Sequence, residues 1–410
     1  MQGYPPPEGP YPSQYQPPAQ PVKSRARSSE ETRRVVGIGF YSLFMLGGAV
    51  LILLLFIIPA LTGTHGELEA MGIGAVCALP PLMIYLWIPW ILDRYDPEPW
   101  WALALVLAWG GIAAIGFSGL INTIVGAVGT EIGGRNFGRF IGACVSAPLV
   151  EEFWKGLALF AMFYFLKREF DGVVDGIIYA TFVALGFAAI ENIVYYARAW
   201  QDEGRQEGVL VATIVMRGIL SPWGHPLYTS MTGIGFGLAR ERSGAWKWLG
   251  PIGGYFAAAF LHFVWNFAAT ISNMLVIVML PLWILVVLTF LVIIILLVRR
   301  KGRIIRENLK DEVLLGYMTP FELDMTTSAF GTFTATFRYG GGVGREFIRA
   351  AARLGLSKWH TVRANKERKA TVSAEWIVPL RQQLGVLREK VARSLGRPVE
   401  QPRPWVPKGR

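Results

Sequence analysis

Eight apolar runs of bilayer length follow one another between residues 36 and 298. A membrane-crossing helix needs about 20 predominantly apolar residues. Inside hydrocarbon every backbone polar group must be bonded within the chain, so runs of this kind cross as helices. The expected spans are 36–61, 68–92, 100–128, 137–166, 173–200, 209–238, 248–271 and 274–298. Pro148 interrupts the fourth, and Pro222 and Pro226 interrupt the sixth, so each is expected either to kink or to restart there. The fold class is therefore all-α, a polytopic transmembrane helical bundle of about eight spans over 35–298, between an N-terminal arm (1–34) and a C-terminal tail (299–410).

Loops on the cytoplasmic side carry the excess of Lys and Arg. Lys23, Arg25, Arg27, Arg33 and Arg34 precede the first span, and Arg299, Arg300, Lys301 and Arg303 follow the last. Arg94, the Lys167-Arg168 pair, and Arg240, Arg242 and Lys247 occupy alternate connections. Both termini are thus expected in the cytoplasm of a multi-pass cell-membrane protein. Reporter fusions at Thr64, Gly204 and Ser272 should read as extracytoplasmic, and those at Arg25, Asp96, Ser243 and Lys310 as cytoplasmic. A cytoplasmic reading at Gly204 contradicts the eight-span arrangement.

The arm begins MQGYPPPEGPYPSQYQPP, a composition that builds no packed core, and is expected to be disordered. The first apolar run starts too late and is too long for a signal peptide, so it is expected to remain in the mature chain. The tail holds 23 Lys or Arg against 10 Asp or Glu, a net +13 where the whole chain has +11. A solvated face explains such a run most simply, and attraction to anionic lipid headgroups comes next. Nucleic acid is not an expected partner, because no nucleic-acid-binding motif accompanies the charge. Leu380, Leu384, Leu387 and Val391 mark a short amphipathic helix suited to a partner or a membrane surface. The two cysteines, Cys77 and Cys144, both fall in apolar runs and are expected to be inert.

Ionisable groups in such runs cost at least about 2.5–3.5 kcal/mol each on insertion scales, so they mark function or an internal pair. The fourth run carries Glu151, Glu152 and Lys155 within SAPLVEEFWKGLALF. Glu151 and Lys155 share a helix face, while Glu152 points about 100° away. The fifth places Phe187, Glu191 and Tyr195 on one face, the sixth supplies Arg217 and His225, and the seventh His262 and Asn266. Counting about 1.5 Å per residue, Glu151, Glu191, His225 and His262 fall at a common depth between the midplane and the extracytoplasmic third. Each has a structural reading alone: an intrahelical ion pair for Glu151 and Lys155, a hydrogen bond between helices for His262 and Asn266, a counter-ion for Arg217. Four helices bringing such groups to one level point instead to a site.

In this order DRYDPEPW (93–100), APLVEEFWK (147–155), FAAIENIVYY (187–196), the Arg217 and His225 segment, and HFVWN (262–266) resemble the motifs of the PrsW family of intramembrane proteases. That family is related to the CAAX-processing and bacteriocin-immunity membrane proteases. The resemblance covers residues 93–266 and leaves both tails outside. One departure from the wider superfamily is Glu191, which stands where CAAX proteases carry histidine. The resemblance implies an endopeptidase acting on membrane-protein substrates, single-span anti-sigma factors among them.

Hydrolysis within a membrane needs an activated water, a group to take and return its proton, and a donor to the oxyanion. Glu151 is the leading general base, with Glu152 as the alternative or as a ligand. His225 and His262 would hold the water or a metal, and Asn266 would donate to the oxyanion. Lys155, Tyr195 and Arg217 would support them. His225, His262 and Glu191 form a two-histidine, one-carboxylate set suited to Zn²⁺. No HExxH motif is present, and a metal-free glutamate mechanism would use the same residues, so both versions stand open. Two other classes also bury Glu, Arg and His at this depth: a transporter or channel, although no inverted repeat is evident, and a non-catalytic scaffold or immunity protein. A Gly-Phe-Ser-Gly stretch at 116–119 echoes the serine motif of rhomboid proteases, but small residues at that spacing are common packing elements of membrane helices.

Overall fold

A computed structural model describes residues 25–63, 66–92, 95, 98–167, 169–201, 207–366, 373–396 and 398–404. Residues 1–24 of the expected arm lie outside these, and 25–34 belong to the first helix. All regular structure among the described residues is helical. The membrane part comprises α1 (Arg25–Ile52), α2 (Ile58–Thr62), α3 (Glu67–Tyr85), α4 (Trp87–Leu92), α5 (Trp100–Trp109), α6 (Ile115–Phe140), α7 (Ala147–Phe165), α8 (Val173–Gln201), α9 (Glu207–Ile214), α10 (Gly224–Glu241), α11 (Trp246–Ile271) and the start of α12 (Asn273–Leu314). Wide π-helical turns over Leu53–Ile57, Gly110–Ala114, Ile141–Ser146 and Val215–Leu220 join consecutive pieces.

Six helices among the described residues are long and apolar enough to cross a membrane. One of them, Trp100–Phe165, reverses at Gly134, whose φ of 81° favours glycine, so that Gly129 meets Gly138 on the returning arm. This reversal separates the expected third and fourth spans. Pro148 does not break the fourth. It lies in the first turn of α7, directly after the wide turn Ile141–Ser146, and the helix continues through both. The expected sixth span is interrupted: α10 restarts after Ser221, Pro222 and Trp223, which puts His225 in the first turn of a new helix.

Helix α8 forms the centre and is buried along most of its length. Small residues let its neighbours approach. At the α8–α10 crossing a Cβ on either Gly176 or Gly233 would lie 2.2 Å from the other's carbonyl oxygen. The backbones of α8 and α10 are therefore in direct contact, and Glu191 and His225 are carried on helices whose separation is fixed.

The tail is folded. Helix α12 runs on past the apolar segment, and α13 (Pro320–Thr327), α14 (Gly331–Tyr339), α15 (Gly341–Lys366) and α16 (Ala374–Leu395) pack around its extension. The amphipathic face read at Leu380, Leu384, Leu387 and Val391 is buried in this core and therefore meets its partner within the chain. A capping box opens α13: the Glu322 N–H donates to Thr319 Oγ1, and the Thr319 N–H donates to Glu322 Oε2. Arg388 neutralises the buried Glu322, and Lys358 and Arg381 do the same for Glu312. Burial alone would raise the Glu312 pKa, but hydrogen bonds from Arg381 and Lys358 bring it below the usual carboxylate range. Several tail cations grip the membrane part: Arg349 and Arg353 bind Glu169, Arg363 donates to the Glu241 carbonyl, and Lys301 binds Asp175. Part of the basic charge read in the sequence is thus engaged in ion pairs, some of them with acids of the membrane part.

Candidate active site

Helix α7 presents Glu151, Glu152 and Lys155 to a space walled by α8, α10 and α11, and all three side chains are buried. Lys155 is the hub. Its Nζ lies 2.9 Å from Glu152 Oε1, 3.0 Å from His225 Nδ1 and 3.5 Å from Glu151 Oε2, with the Phe187 ring centroid 3.9 Å away. An ammonium stripped of water is tolerated here because carboxylates, an imidazole lone pair and a ring face replace its hydration.

The two adjacent glutamates have different surroundings. Both oxygens of Glu152 are engaged: Oε1 accepts from Lys155 and from His262 Nδ1 at 3.1 Å, and Oε2 accepts from Thr229 at 2.8 Å. Glu151 Oε1 accepts from Asn122 Nδ2 at 3.3 Å, and Asn122 Oδ1 in turn accepts from Ser146 at 2.7 Å. Glu151 Oε2, by contrast, is buried without a hydrogen bond.

The hydrogen-bond network assigns both histidine tautomers. Glu152 Oε1 can only accept, so His262 Nδ1 carries the proton and Nε2 keeps its lone pair. In the neutral imidazole that lone pair lies 3.9 Å from Glu151 Oε2, and two acceptors then stand opposite each other. The His262 ring is held by stacking on Tyr228, with centroids 4.9 Å apart at 18°. His225 Nε2 lies 2.9 Å from Glu191 Oε2, whose carboxylate also accepts from Arg217. His225 Nε2 is therefore the donor, and its Nδ1 lone pair faces Lys155. Arg217 is fixed further by Asn192 Oδ1 at 2.9 Å and by the Tyr195 ring, 3.7 Å below its guanidinium.

Glu151, Glu152, Lys155, Glu191, Arg217, His225 and His262 thus form one connected cluster, as the common depth suggested, with Tyr195 stacked at its Arg217 end. Asn266 stands apart, its Nδ2 donating to the Ala143 carbonyl in the wide turn before α7. Asn122, Ser146, Asn192, Tyr228 and Thr229 were not singled out in the sequence. Asn122 and Asn192 carried a signal, a lone amide within an apolar run. Ser146, Thr229 and Tyr228 carried none, since such residues recur along membrane helices without a polar task.

Among the described residues, the donor atoms that could share a metal ion come from Glu151, His225 and His262, one from each, all within 4.8 Å of one another. Glu191, the carboxylate expected in that set, is occupied instead by Arg217 and His225. Two neutral histidines and a carboxylate suit Zn²⁺. The carboxylate-oriented imidazole of His262 is the arrangement that commonly supports a metal ligand, and Glu151 Oε2 is an unmatched acceptor aimed at the same space. These residues fit a metal, provided that Lys155 leaves His225 Nδ1.

An α-helical membrane protein with carboxylates and histidines converging inside its helices is defined by these features. Residues 98–297, just under half of the chain, match the family described as PrsW family intramembrane metalloprotease. It is 36% identical over 98 residues to a protein named Protease PrsW from Geobacillus kaustophilus (strain HTA426), covering 24% of this chain and 39% of that one. Its namesake from Oceanobacillus iheyensis is 46% identical over 56 residues, 14% of this chain and 26% of the relative. That from Clostridioides difficile (strain 630) is 43% identical over 70 residues, 17% and 29%. The aligned segments thus span well under half of each relative. No solved structure matches the chain.

Proposed function

We propose that the chain is an intramembrane endopeptidase that hydrolyses a peptide bond of a membrane-protein substrate, with Glu151 as general base. The observation that carries this reading is the pair of facing acceptors, Glu151 Oε2 and His262 Nε2, 3.9 Å apart and buried. A water donating to both is held at hydrogen-bond distance from a carboxylate with a free lone pair. Glu151 takes its proton as the oxygen attacks the carbonyl, and returns it to the leaving amine. Lys155 Nζ is the nearest cation to that point and stabilises the oxyanion. Glu152 holds Lys155 and His262 in register, and Arg217 and Glu191 do the same for His225. Asn266 ties α11 to the turn that delivers Glu151.

Glu151, His225 and His262 would hold a metal if one is bound, and it would supply Lewis acidity and a more acidic water. With a metal, purified protein should contain near-stoichiometric Zn²⁺ by elemental analysis, and His262→Ala should lose it. Without one, the parent protein should be metal-free and indifferent to chelator. Retained turnover in fully metal-depleted protein eliminates the zinc version and leaves the glutamate base standing.

The substrate class is a single-span membrane protein, anti-sigma factors being the kind that the family resemblance suggests. The orientation proposed has both termini in the cytoplasm of a cell-membrane protein, with the tail near anionic headgroups. Capture with a Glu151→Gln, Glu152→Gln double variant tests the substrate class: an excess of single-span proteins supports it, and capture no greater than with the parent protein contradicts it.

A further inference from the structure

The tail domain exposes an aromatic row that its own core does not use. Phe330, Phe333 and Phe337 are 74%, 65% and 71% exposed, and the rings of the last two pack with centroids 4.6 Å apart, tilted by 56°. Soluble surfaces rarely leave several large aromatics adjacent and bare, so such a patch marks a contact.

Its place in the fold says what it contacts. The apolar part of α12 ends at Val298, and exposed Arg299, Arg300 and Arg303 follow. Arg306 lies eight residues beyond Val298, about 12 Å along the helix, and the chain from Thr327 to Phe330 reaches back from it toward the membrane. Arg306 holds the far end of α13, bonding Asp324 Oδ1 at 2.7 Å and Thr327 Oγ1 at 3.0 Å. Helix α13 starts beside the end of α12, where the Met318 N–H donates to the Glu312 carbonyl, so it runs back toward the membrane. Helix α14 then turns away again, because the Tyr339 hydroxyl at its end reaches Glu322 near the start of α13. The turn carrying Phe330 and the first turn of α14 carrying Phe333 are therefore the membrane-facing tip of this hairpin. A headgroup layer is roughly 5–8 Å thick on each side of the hydrocarbon, which brings the tip to its edge.

We propose that this tip docks into the headgroup layer of an anionic leaflet, with Phe330 and Phe333 inserted and Arg299 and Arg303 facing lipid phosphates. Phenylalanine rings beside exposed basic residues are the pattern of interfacial elements, in which the apolar face buries at the headgroup–acyl boundary and the basic residues match anionic lipid. The partner is a lipid surface. The inference rests on α12 crossing the membrane and is independent of the protease reading.

The test uses the full chain, with Cys77→Ser and Cys144→Ser, reconstituted in phosphatidylcholine vesicles with or without phosphatidylglycerol. An environment-sensitive fluorophore is attached through Phe333→Cys, and nitroxide-labelled lipid serves as quencher. In phosphatidylglycerol vesicles the label should emit to the blue and lose most of its intensity to the quencher. A label at exposed Gln382, beside the Arg381 that binds Glu312, should do neither. Phe330→Ser and Arg303→Gln should each weaken the quenching at position 333. Phe337→Cys, as a neighbouring site, gives the same reading should Phe333→Cys not fold. Water-like, unquenched emission at both 333 and 337 overturns the proposal and leaves the row as a protein-docking face. Equal quenching with and without phosphatidylglycerol overturns the anionic assignment.

Discussion

Glu151→Gln is expected to reduce turnover by about 10²–10⁴-fold, the usual worth of a positioned general base, while the protein still inserts and folds. The amide keeps the shape of the carboxylate and can still accept from Asn122 Nδ2, which holds Oε1 in the native site. It cannot take a proton. Glu152→Gln should behave differently, because both Glu152 oxygens are already engaged by neighbouring side chains. It gives up charge-assisted bonds to Lys155 and His262, so lost activity should come with lost stability. The discriminating measurement is turnover beside thermal unfolding for both variants. Unchanged turnover in both rejects the glutamate base.

Lys155→Met should have the largest effect on stability. Lys155 is fully buried, and its ammonium is the cation between Glu151 and Glu152. Removing one partner of a buried ion pair costs about 3–5 kcal/mol, because the remaining charge is left uncompensated. Turnover should also fall, by about 10²–10³-fold if the ammonium stabilises the oxyanion. The double variant Lys155→Met, Glu152→Gln separates these roles. It removes the nearer of the two stranded carboxylates and should recover part of the stability, yet none of the turnover. Recovery of both would make Lys155 a structural counter-ion only.

Much of this cluster was legible in the sequence, since charge inside an apolar run has few explanations and helical spacing fixes which side chains share a face. Glu151, Glu152, Lys155, Glu191, Arg217, His225 and His262 all emerged on that ground. The difference between the adjacent glutamates was not legible. It is decided by Thr229 on α10 and His262 on α11, which engage both oxygens of Glu152, and by Asn122 on α6, which engages only one oxygen of Glu151. Those are contacts between helices, and no periodicity within one helix reports them. The same reason moved the candidate metal carboxylate from Glu191 to Glu151, because Arg217 reaches Glu191 from the wide turn before α10.

The tail was read as mostly solvated charge with one amphipathic helix. Its fold was hidden because α15 buries small residues, Ala350, Ala351 and Ala352 beside Phe347 and Ile348, which give a weak hydrophobic signal. Its arginines look like surface charge until their partners, Glu169 and the Glu241 carbonyl, are brought near in space. The interruption of the sixth span was legible, since Pro222 and Pro226 mark it. Its consequence, His225 in the first turn of a restarted helix, required the structure.

The central claim is that Glu151 drives peptide-bond hydrolysis within the membrane. Mapping of new protein N-termini in membranes from cells carrying the parent chain or Glu151→Gln, made in water enriched in heavy oxygen, tests it most directly. The account predicts termini inside the membrane segments of single-span proteins, present only with the parent chain, each matched by a new C-terminal carboxylate carrying the heavy label. Identical sets of termini in the two membranes, with the parent protein folded and inserted, would contradict it.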